Sequence, residues 1–158
     1  MENPAIDAFY RRARAAVPDL PIETPISWAF GATPAHADSL LALVLDGIKT
    51  GTASSLWDLE ASGEPVPEVG ELSVILDGAG TPRALLRTTR IDIVPFDEVD
   101  EEHARSEGED DRTLASWREI HRDFWTRYAE DDRGFDERMP VVCEGFELLY
   151  AEPVAETA

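Results

Sequence analysis

The feature that most constrains the fold is a helical apolar pattern that stops at a glycine and continues directly into a strand-like segment. Thr33 and Pro34 are typical of a helix cap followed by a first-turn proline. Apolar residues then recur at helical spacing, at positions 37, 40, 41, 44 and 45. Gly47 ends the pattern, as glycine commonly does after a helix. Residues 50–56 predict a strand, so Lys49 lies at a junction between a helix and a strand.

The other segments of the chain also alternate between helices and strands. Helices are predicted over residues 3–16 and 113–128, and strands over residues 26–30, 71–76, 83–94 and 139–150. Prolines at 18, 21 and 25 predict an extended linker, and residues 63–70 predict a loop. Apolar residues in the 83–94 strand do not alternate cleanly, as expected in a closed barrel. The predicted fold class is α+β.

Composition excludes several function classes. The length of 158 residues suits one domain. The net charge of -19 repels polyanions, which argues against a long nucleic acid as partner but leaves a nucleoside or a locally gripped RNA open. No apolar run reaches the roughly 18 residues that span a membrane, and no signal peptide is visible. With a single cysteine, Cys143, predicted to be buried, a cytoplasmic location is expected.

Lys49 is the only lysine among the 14 lysine and arginine residues. A partly buried lysine amine can lose its proton and act as a base or nucleophile, whereas arginine stays charged. A genome biased toward arginine codons would leave a single lysine by chance. The residues after Lys49 do not form a phosphate loop, because the glycine-rich stretch before the Gly-Lys-Ser/Thr pair is missing.

Three hydroxyl side chains follow Lys49 on one face of the predicted strand: Thr50, Thr52 and Ser54. Such a cluster can bind a polar ligand, or one hydroxyl can become a nucleophile beside a base. The alternative is an edge strand with solvated threonines, and a lysine that is stabilised by the helix dipole.

An acidic segment supplies a second candidate element. Residues 97–111 contain nine acidic residues and one arginine, which is typical of a solvated helix or loop. A carboxylate that turned inward toward a lysine would be a candidate acid or base. Periodicity does not determine which carboxylate of residues 107–111 does so.

Aromatic residues and His121 form a further set of candidates. Trp28, Trp57 and Trp117 could stack on a nucleobase, although packing in a core is the more common use of tryptophan. His121 lies on the apolar face of the 113–128 helix, where a hydrogen-bonded core histidine is the alternative to a functional one.

Arg90 and the other two histidines are the remaining candidates for binding a charged ligand group. Arg90 could meet a phosphate or a carboxylate, including one of the many acids of the protein. His36 and His103 are predicted at the surface. Three scattered histidines give no metal-ligand spacing, and the acidic segment lacks a calcium-loop pattern. No metal and no cofactor are predicted.

Several segments together resemble the ASCH domain family. They are Trp-Ala-Phe-Gly at 28–31, the helix end and Gly-x-Lys-x-x-Thr element at 45–52, the Glu-Gly-Glu-Asp stretch within 103–111, the helix carrying Trp117 and His121, and the closing strand at 141–148. The resemblance extends over residues 26–150. The Gly-x-Lys-x-x-Thr element is short, and its order and distance relative to the other segments make the resemblance specific.

The resemblance implies a PUA-like β-barrel with flanking helices over residues 25–150, after an N-terminal helix and linker over 1–24 and before a tail over 151–158. It also implies an RNA-related role. Smaller members remove the acetyl group of N4-acetylcytidine with a Lys, a Thr and a Glu, which correspond here to Lys49, Thr52 and Glu107. The substrate-binding residues would be Trp28, Thr50, Ser54, Trp57, Arg90, Trp117 and His121. The alternatives are a ribonuclease, an RNA-binding module or a non-enzymatic ligand-binding protein, because this chain is longer than the small amidohydrolases.

Overall fold

Helices and strands alternate along the chain in a computed structural model, which describes residues 3–152. In chain order the elements are α1 (Pro4–Ala16), β1 (Ile26–Trp28), α2 (Pro34–Leu45), β2 (Gly51–Ser55), α3 (Leu56–Ser62), β3 (Leu72–Leu76), β4 (Pro82–Pro95), a 3-10 turn (Phe96–Glu98), α4 (Glu101–Glu107), α5 (Leu114–Tyr128) and β5 (Pro140–Ala151). The predicted α+β class is confirmed. None of the helices in this part of the chain is long and apolar enough to cross a membrane. Of the predicted tail, residues 153–158 lie outside the described residues.

Side-chain caps explain where the predicted helices begin. The Thr33 hydroxyl accepts the His36 N–H at the start of α2, and the Thr113 hydroxyl accepts the Ser116 N–H at the start of α5. One short helix, α3, was missed by sequence reasoning. Ser55 ends β2 and caps α3 by accepting the Asp58 N–H, so strand and helix adjoin without a loop.

The strands are hydrogen-bonded in the order β1-β3-β4-β5-β2. The β1–β3 pair is parallel, whereas β3–β4 and β2–β5 are antiparallel. In the β2–β5 pair, Gly51 lies opposite Gly145, Thr52 opposite Glu144 and Ala53 opposite Cys143. This register decides which side chains of β2 and β5 share a face.

The chain divides into two compact units, each with its own core. The first contains residues 3–47, 70–87 and 147–152 of the described chain. The apolar stripe of α1, predicted from the sequence, packs there against β3 and β4, and the buried residues are Ile6, Phe9, Tyr10, Ala13, Leu20, Val74 and Leu85. The Tyr10 hydroxyl donates to the Pro21 carbonyl and so attaches the proline-rich linker to α1.

The second unit contains residues 48–69 and 88–146. In its core, one face of β2 and β5 packs against α4 and α5. The buried residues of this core are Phe96, Val99, Ala104, Trp117, Trp125, Met139, Val141 and Cys143. The buried thiol predicted for Cys143 is confirmed.

The acidic segment is only partly solvated. Asp100 caps α4 by accepting the His103 N–H, and Gly108 ends the helix in a left-handed conformation. His103, Ala104 and Glu107 are buried, so the predicted surface position of His103 is wrong. The physical reason is helical spacing, since residues three and four apart share the inward face of α4.

Candidate functional site

The site forms where the backbone at the start of β2 closely approaches the end of α4, and it lies entirely within the second unit. The Thr50 N–H donates to the Ser106 carbonyl over 2.6 Å, which joins the start of β2 to the end of α4. A Cβ added at Gly51 would overlap the Ser106 hydroxyl, and one at Gly108 would lie 2.9 Å from an Ile48 methyl carbon. Glycine at 51 and 108 therefore permits the approach, and Lys49 faces the end of α4.

Lys49 and Glu107 form a buried ion pair. Lys49 is 2% exposed and Glu107 1%. The Lys49 Nζ lies 3.7 Å from Glu107 Oε1 and 3.8 Å from Glu109 Oε1. It also donates to the Glu107 carbonyl oxygen over 3.3 Å. The only lysine of the chain is thus surrounded by two carboxylates and a carbonyl, away from solvent.

Three N–H groups surround the Glu107 carboxylate. His103 Nε2 lies 2.7 Å from Oε2, and the Trp117 indole N–H donates to the same oxygen in a short hydrogen bond. His121 Nε2 lies 3.2 Å from Oε1. Hydrogen bonds to an ionised acceptor are about twice as strong as neutral ones, so these contacts fix the carboxylate in one orientation.

The pKa of Glu107 is held well below its ordinary value. Burial alone would raise the pKa, but the charges of His121 and Lys49 and the hydrogen bonds from His103 and His121 outweigh that effect. For His121, burial would lower the pKa, but the Glu107 charge and hydrogen bond outweigh it, and the pKa is raised. Both shifts favour a charged His121–Glu107 pair.

The structure places Thr52 on β2, half-buried and directly opposite Glu144 of β5. Side chains directly opposite in an antiparallel pair share a face. Glu144 is buried and accepts the Thr88 hydroxyl over 2.7 Å. The neighbour Ala53 packs against the core that contains Trp117 and Cys143, so Thr52 and Ala53 lie on opposite faces of the strand.

The other two hydroxyls are less enclosed than the Lys49–Glu107 pair. Thr50 is exposed, and its backbone bonds both Ser106 and Phe146. Ser54 is half-buried opposite Val142. Their predicted role in substrate binding stays a prediction.

Of the predicted aromatic residues, Trp117 belongs to the cluster around Glu107. Its ring stacks on His121 with centroids 4.2 Å apart and an interplanar angle of 17°. Trp57 lies on α3, packed against the core of the second unit, and the Arg133 guanidinium lies 4.3 Å from its ring centroid. Trp28 belongs to the first unit, where its ring meets Phe30 edge-on at 4.8 Å.

Arg90 joins the cluster through His103. Its Nη2 lies 3.3 Å from His103 Nδ1, and its Nη1 bonds Asp92 Oδ2 over 2.7 Å. Arg90 therefore pairs with an acid, Asp92, which was one of the two alternatives that the sequence left open. It also contacts His103, which in turn orients Glu107.

Glu107, Glu109 and His121 bring ligand atoms within 4.8 Å of one another, a spacing that could hold a metal ion. The Lys49 ammonium lies within 3.8 Å of both carboxylates and already supplies a positive charge there. A metal would have to displace it, and the Glu107 oxygens already accept N–H groups. The donor set therefore suits an ammonium better than a metal.

Sequence reasoning missed His103, Thr88 and Glu144 as members of the site, and it left open whether Glu109 faces the site. His103 and Glu107 stand four residues apart on one helix, so helical spacing could have paired them. The β2–β5 register places Glu144, a hydrogen bond from β4 joins Thr88 to Glu144, and the loop after α4 places Glu109; no local pattern specifies these contacts.

Comparison with known proteins identifies the family of the chain. The ASCH domain family matches residues 26–150. The chain belongs to the ASCH family. A crystal structure of an Enterococcus faecalis protein is similar, with 32% identity and a TM-score of 0.82, over 91% of this chain and 87% of that one. An ASCH domain structure from Lactobacillus crispatus is 29% identical with a TM-score of 0.83, over 94% of this chain and 96% of that one.

These findings confirm the ASCH resemblance and the PUA-like α+β fold. ASCH domains are RNA-related in general. No curated protein matches the chain significantly.

Proposed function

We propose that this ASCH protein hydrolyses the amide of a modified nucleoside, such as N4-acetylcytidine, with Lys49, Thr52 and Glu107 as the reacting set. The buried Lys49–Glu107 pair carries the proposal. A lysine and a glutamate at 2% and 1% exposure are rare in protein interiors. Buried charges cost desolvation energy that an apolar pair would not, so stability alone is a weak reason for their presence.

The perturbed carboxylate supports a catalytic role for the same site. Strongly shifted ionisation, with a specific charge partner, is a physical mark of functional sites. The pKa of Glu107 is held well below its ordinary value by His121 and Lys49. A carboxylate kept ionised and oriented by three N–H groups is suited to bind a substrate amine or to pass a proton.

The charge distribution favours a neutral nucleoside over an RNA strand. The net charge is -19, and many arginines of the described residues already pair with carboxylates. These are Arg12, Arg83, Arg87, Arg90, Arg122, Arg127, Arg133 and Arg138. RNA binding depends on cations that neutralise phosphates, and paired arginines contribute less to it.

The proposed reaction has two stages. Once the Lys49 ammonium has lost a proton to solvent, its amine takes the proton of the Thr52 hydroxyl and the Thr52 Oγ bonds to the amide carbonyl carbon. The carbon–nitrogen bond then breaks as the nitrogen receives a proton that passes through Glu107. Water then attacks the acyl-threonine and releases the acid. Backbone N–H groups near Gly51 and Thr52 would stabilise the oxyanion.

The test is hydrolysis of a panel of N-acylated nucleosides, with N4-acetylcytidine first, alongside a short unmodified RNA, at low and high salt. We expect release of cytidine and acetate at a rate that barely responds to salt, because the substrate carries no phosphate. RNA cleavage, or RNA binding that weakens steeply with salt, together with no nucleoside turnover, would instead assign the site to a ribonuclease or an RNA-binding module. Binding without product would indicate a ligand-binding protein.

A further inference from the structure

We propose that the proton given to the leaving nitrogen is stored on His121 and reaches the substrate through Glu107. The inference deepens the proposed function and rests on it for the identity of the reaction. The location of the proton follows from the geometry alone. His121 is a positioning residue in this scheme, because it acts through the carboxylate of Glu107.

The partners of His121 require a proton on each ring nitrogen. Nδ1 lies 2.8 Å from the Trp117 carbonyl oxygen, which can only accept, so Nδ1 carries a hydrogen. Nε2 lies 3.2 Å from Glu107 Oε1. The ionised carboxylate also only accepts, so Nε2 carries a hydrogen as well. His121 is therefore an imidazolium.

His103 carries one ring proton fewer than His121, although both histidines contact the same carboxylate. Its Nδ1 lies 3.3 Å from Arg90 Nη2, and a guanidinium can only donate. His103 Nδ1 therefore accepts, and Nε2 carries the single ring proton that is donated to Glu107 Oε2 over 2.7 Å. His103 is neutral and has no second proton to give, so the transferable proton of the pair of histidines belongs to His121.

The groups that face His121 stabilise its charge. Glu107 lies at the end of α4, Glu109 follows in the next loop, and both oppose burial by raising the pKa of His121. On its own helix, the Trp117 ring stacks on the imidazole, and the Trp125 ring lies 5.3 Å away. Lys49 also contacts both carboxylates, shares Glu107 Oε1 with His121, and is the other cation of the cluster before the reaction begins.

Proton transfer then balances over the two stages. Before the cycle the Lys49 ammonium releases one proton to solvent. In the first stage the Lys49 amine gains the Thr52 proton, His121 Nε2 passes its proton to Glu107, and Glu107 passes it to the leaving nitrogen. In the second stage the attacking water passes a proton through Glu107 to His121, and Lys49 returns its proton to the Thr52 oxygen. Lys49, Glu107 and His121 therefore finish the cycle in the protonation states in which they entered it, so no external acid is needed.

The charge state can be measured without any substrate. Nitrogen-15 NMR of histidine-labelled full-length protein at pH 7 distinguishes an imidazolium from either neutral tautomer, and His36→Gln and His103→Gln variants assign the three signals. We expect His121 to be doubly protonated and His103 to be the neutral Nε2–H form. A neutral His121 would overturn the inference whatever the activity.

The role of the proton is tested by His121→Gln, with His103→Gln as the matched control. Glutamine can donate to Glu107 but has no acidic proton, so His121→Gln should lose about 100-fold or more in kcat and lose the alkaline limb of the pH profile. His103→Gln keeps a donor to Glu107 and an acceptor for Arg90, and should keep that limb. An unchanged alkaline limb in His121→Gln, or a loss below about 10-fold, would overturn the inference. If wild type hydrolyses no acylated nucleoside, the proposed function fails, and the NMR measurement alone then decides where the proton lies.

Discussion

Replacing Glu107 by glutamine tests whether this carboxylate is the counter-charge of a buried cluster. The change keeps the shape of the side chain but removes the negative charge beside Lys49 and His121. Removing one partner of a buried ion pair typically costs about 3–5 kcal/mol. The amide also places an NH2 group among donors, which adds to the penalty.

That loss is large enough to measure by thermal and urea unfolding. For a domain of this size, 1 kcal/mol shifts the melting temperature by about 2–4 °C, so Glu107→Gln should melt roughly 6–20 °C below wild type. The matched control is Glu147→Gln, the same change in a pair with Arg87 whose side chains are 41% and 51% exposed. A surface pair contributes about 0.2–1 kcal/mol, so the control should lose about 4 °C at most. A melting temperature for Glu107→Gln equal to that of the control would refute the buried-pair reasoning.

Three further predictions concern the ionisation of His121, the reactivity of Cys143 and the packing of Gly51. Because the folded-state pKa of His121 is raised, its contribution to stability is complete below its ordinary pKa of 6.5 and is lost as pH rises through the folded value. The stability difference between wild type and His121→Gln, measured by urea unfolding, should therefore be largest in mild acid and shrink in alkali; a difference that grows with pH would contradict this. Burial, with the nearby Glu107 charge, raises the pKa of Cys143 to about 12, so a thiol reagent at pH 8 should label it only after unfolding, and rapid labelling of native protein would be the contrary result. Gly51→Ala should cost about 1–3 kcal/mol because its methyl overlaps the Ser106 hydroxyl, and Ser106→Ala in the same chain should restore part of the loss; no restoration would place the strain elsewhere.

Local sequence patterns predicted most of the fold. Helices α1, α2 and α5 follow apolar spacing and caps at Asn3, Thr33 and Thr113, which act within one or two turns. The short helix α3 was not predicted because Ser55 serves both as the last residue of β2 and as the helix cap. A single residue that changes from strand to cap leaves no turn signal between the two elements.

The site was only partly predictable. The solitary lysine and the ASCH resemblance pointed to Lys49 and Glu107, and the structure brings the two side chains together. The resemblance also gave Thr52, whose role as nucleophile stays a prediction. Glu144 and Thr88 come into the site through strand pairing, and His103 was assigned to the surface because an acidic segment is usually solvated. Long-range pairing of this kind leaves no mark in a local window.

Turnover of N4-acetylcytidine by wild type and by Lys49→Met tests most directly whether the buried amine of Lys49 carries the chemistry. Methionine keeps the length and apolar stem of the side chain without the amine. Circular dichroism establishes that the variant is folded under the assay conditions. We expect wild type to release cytidine and folded Lys49→Met to show no turnover above background. Hydrolysis by the variant at a rate comparable to wild type would contradict the account.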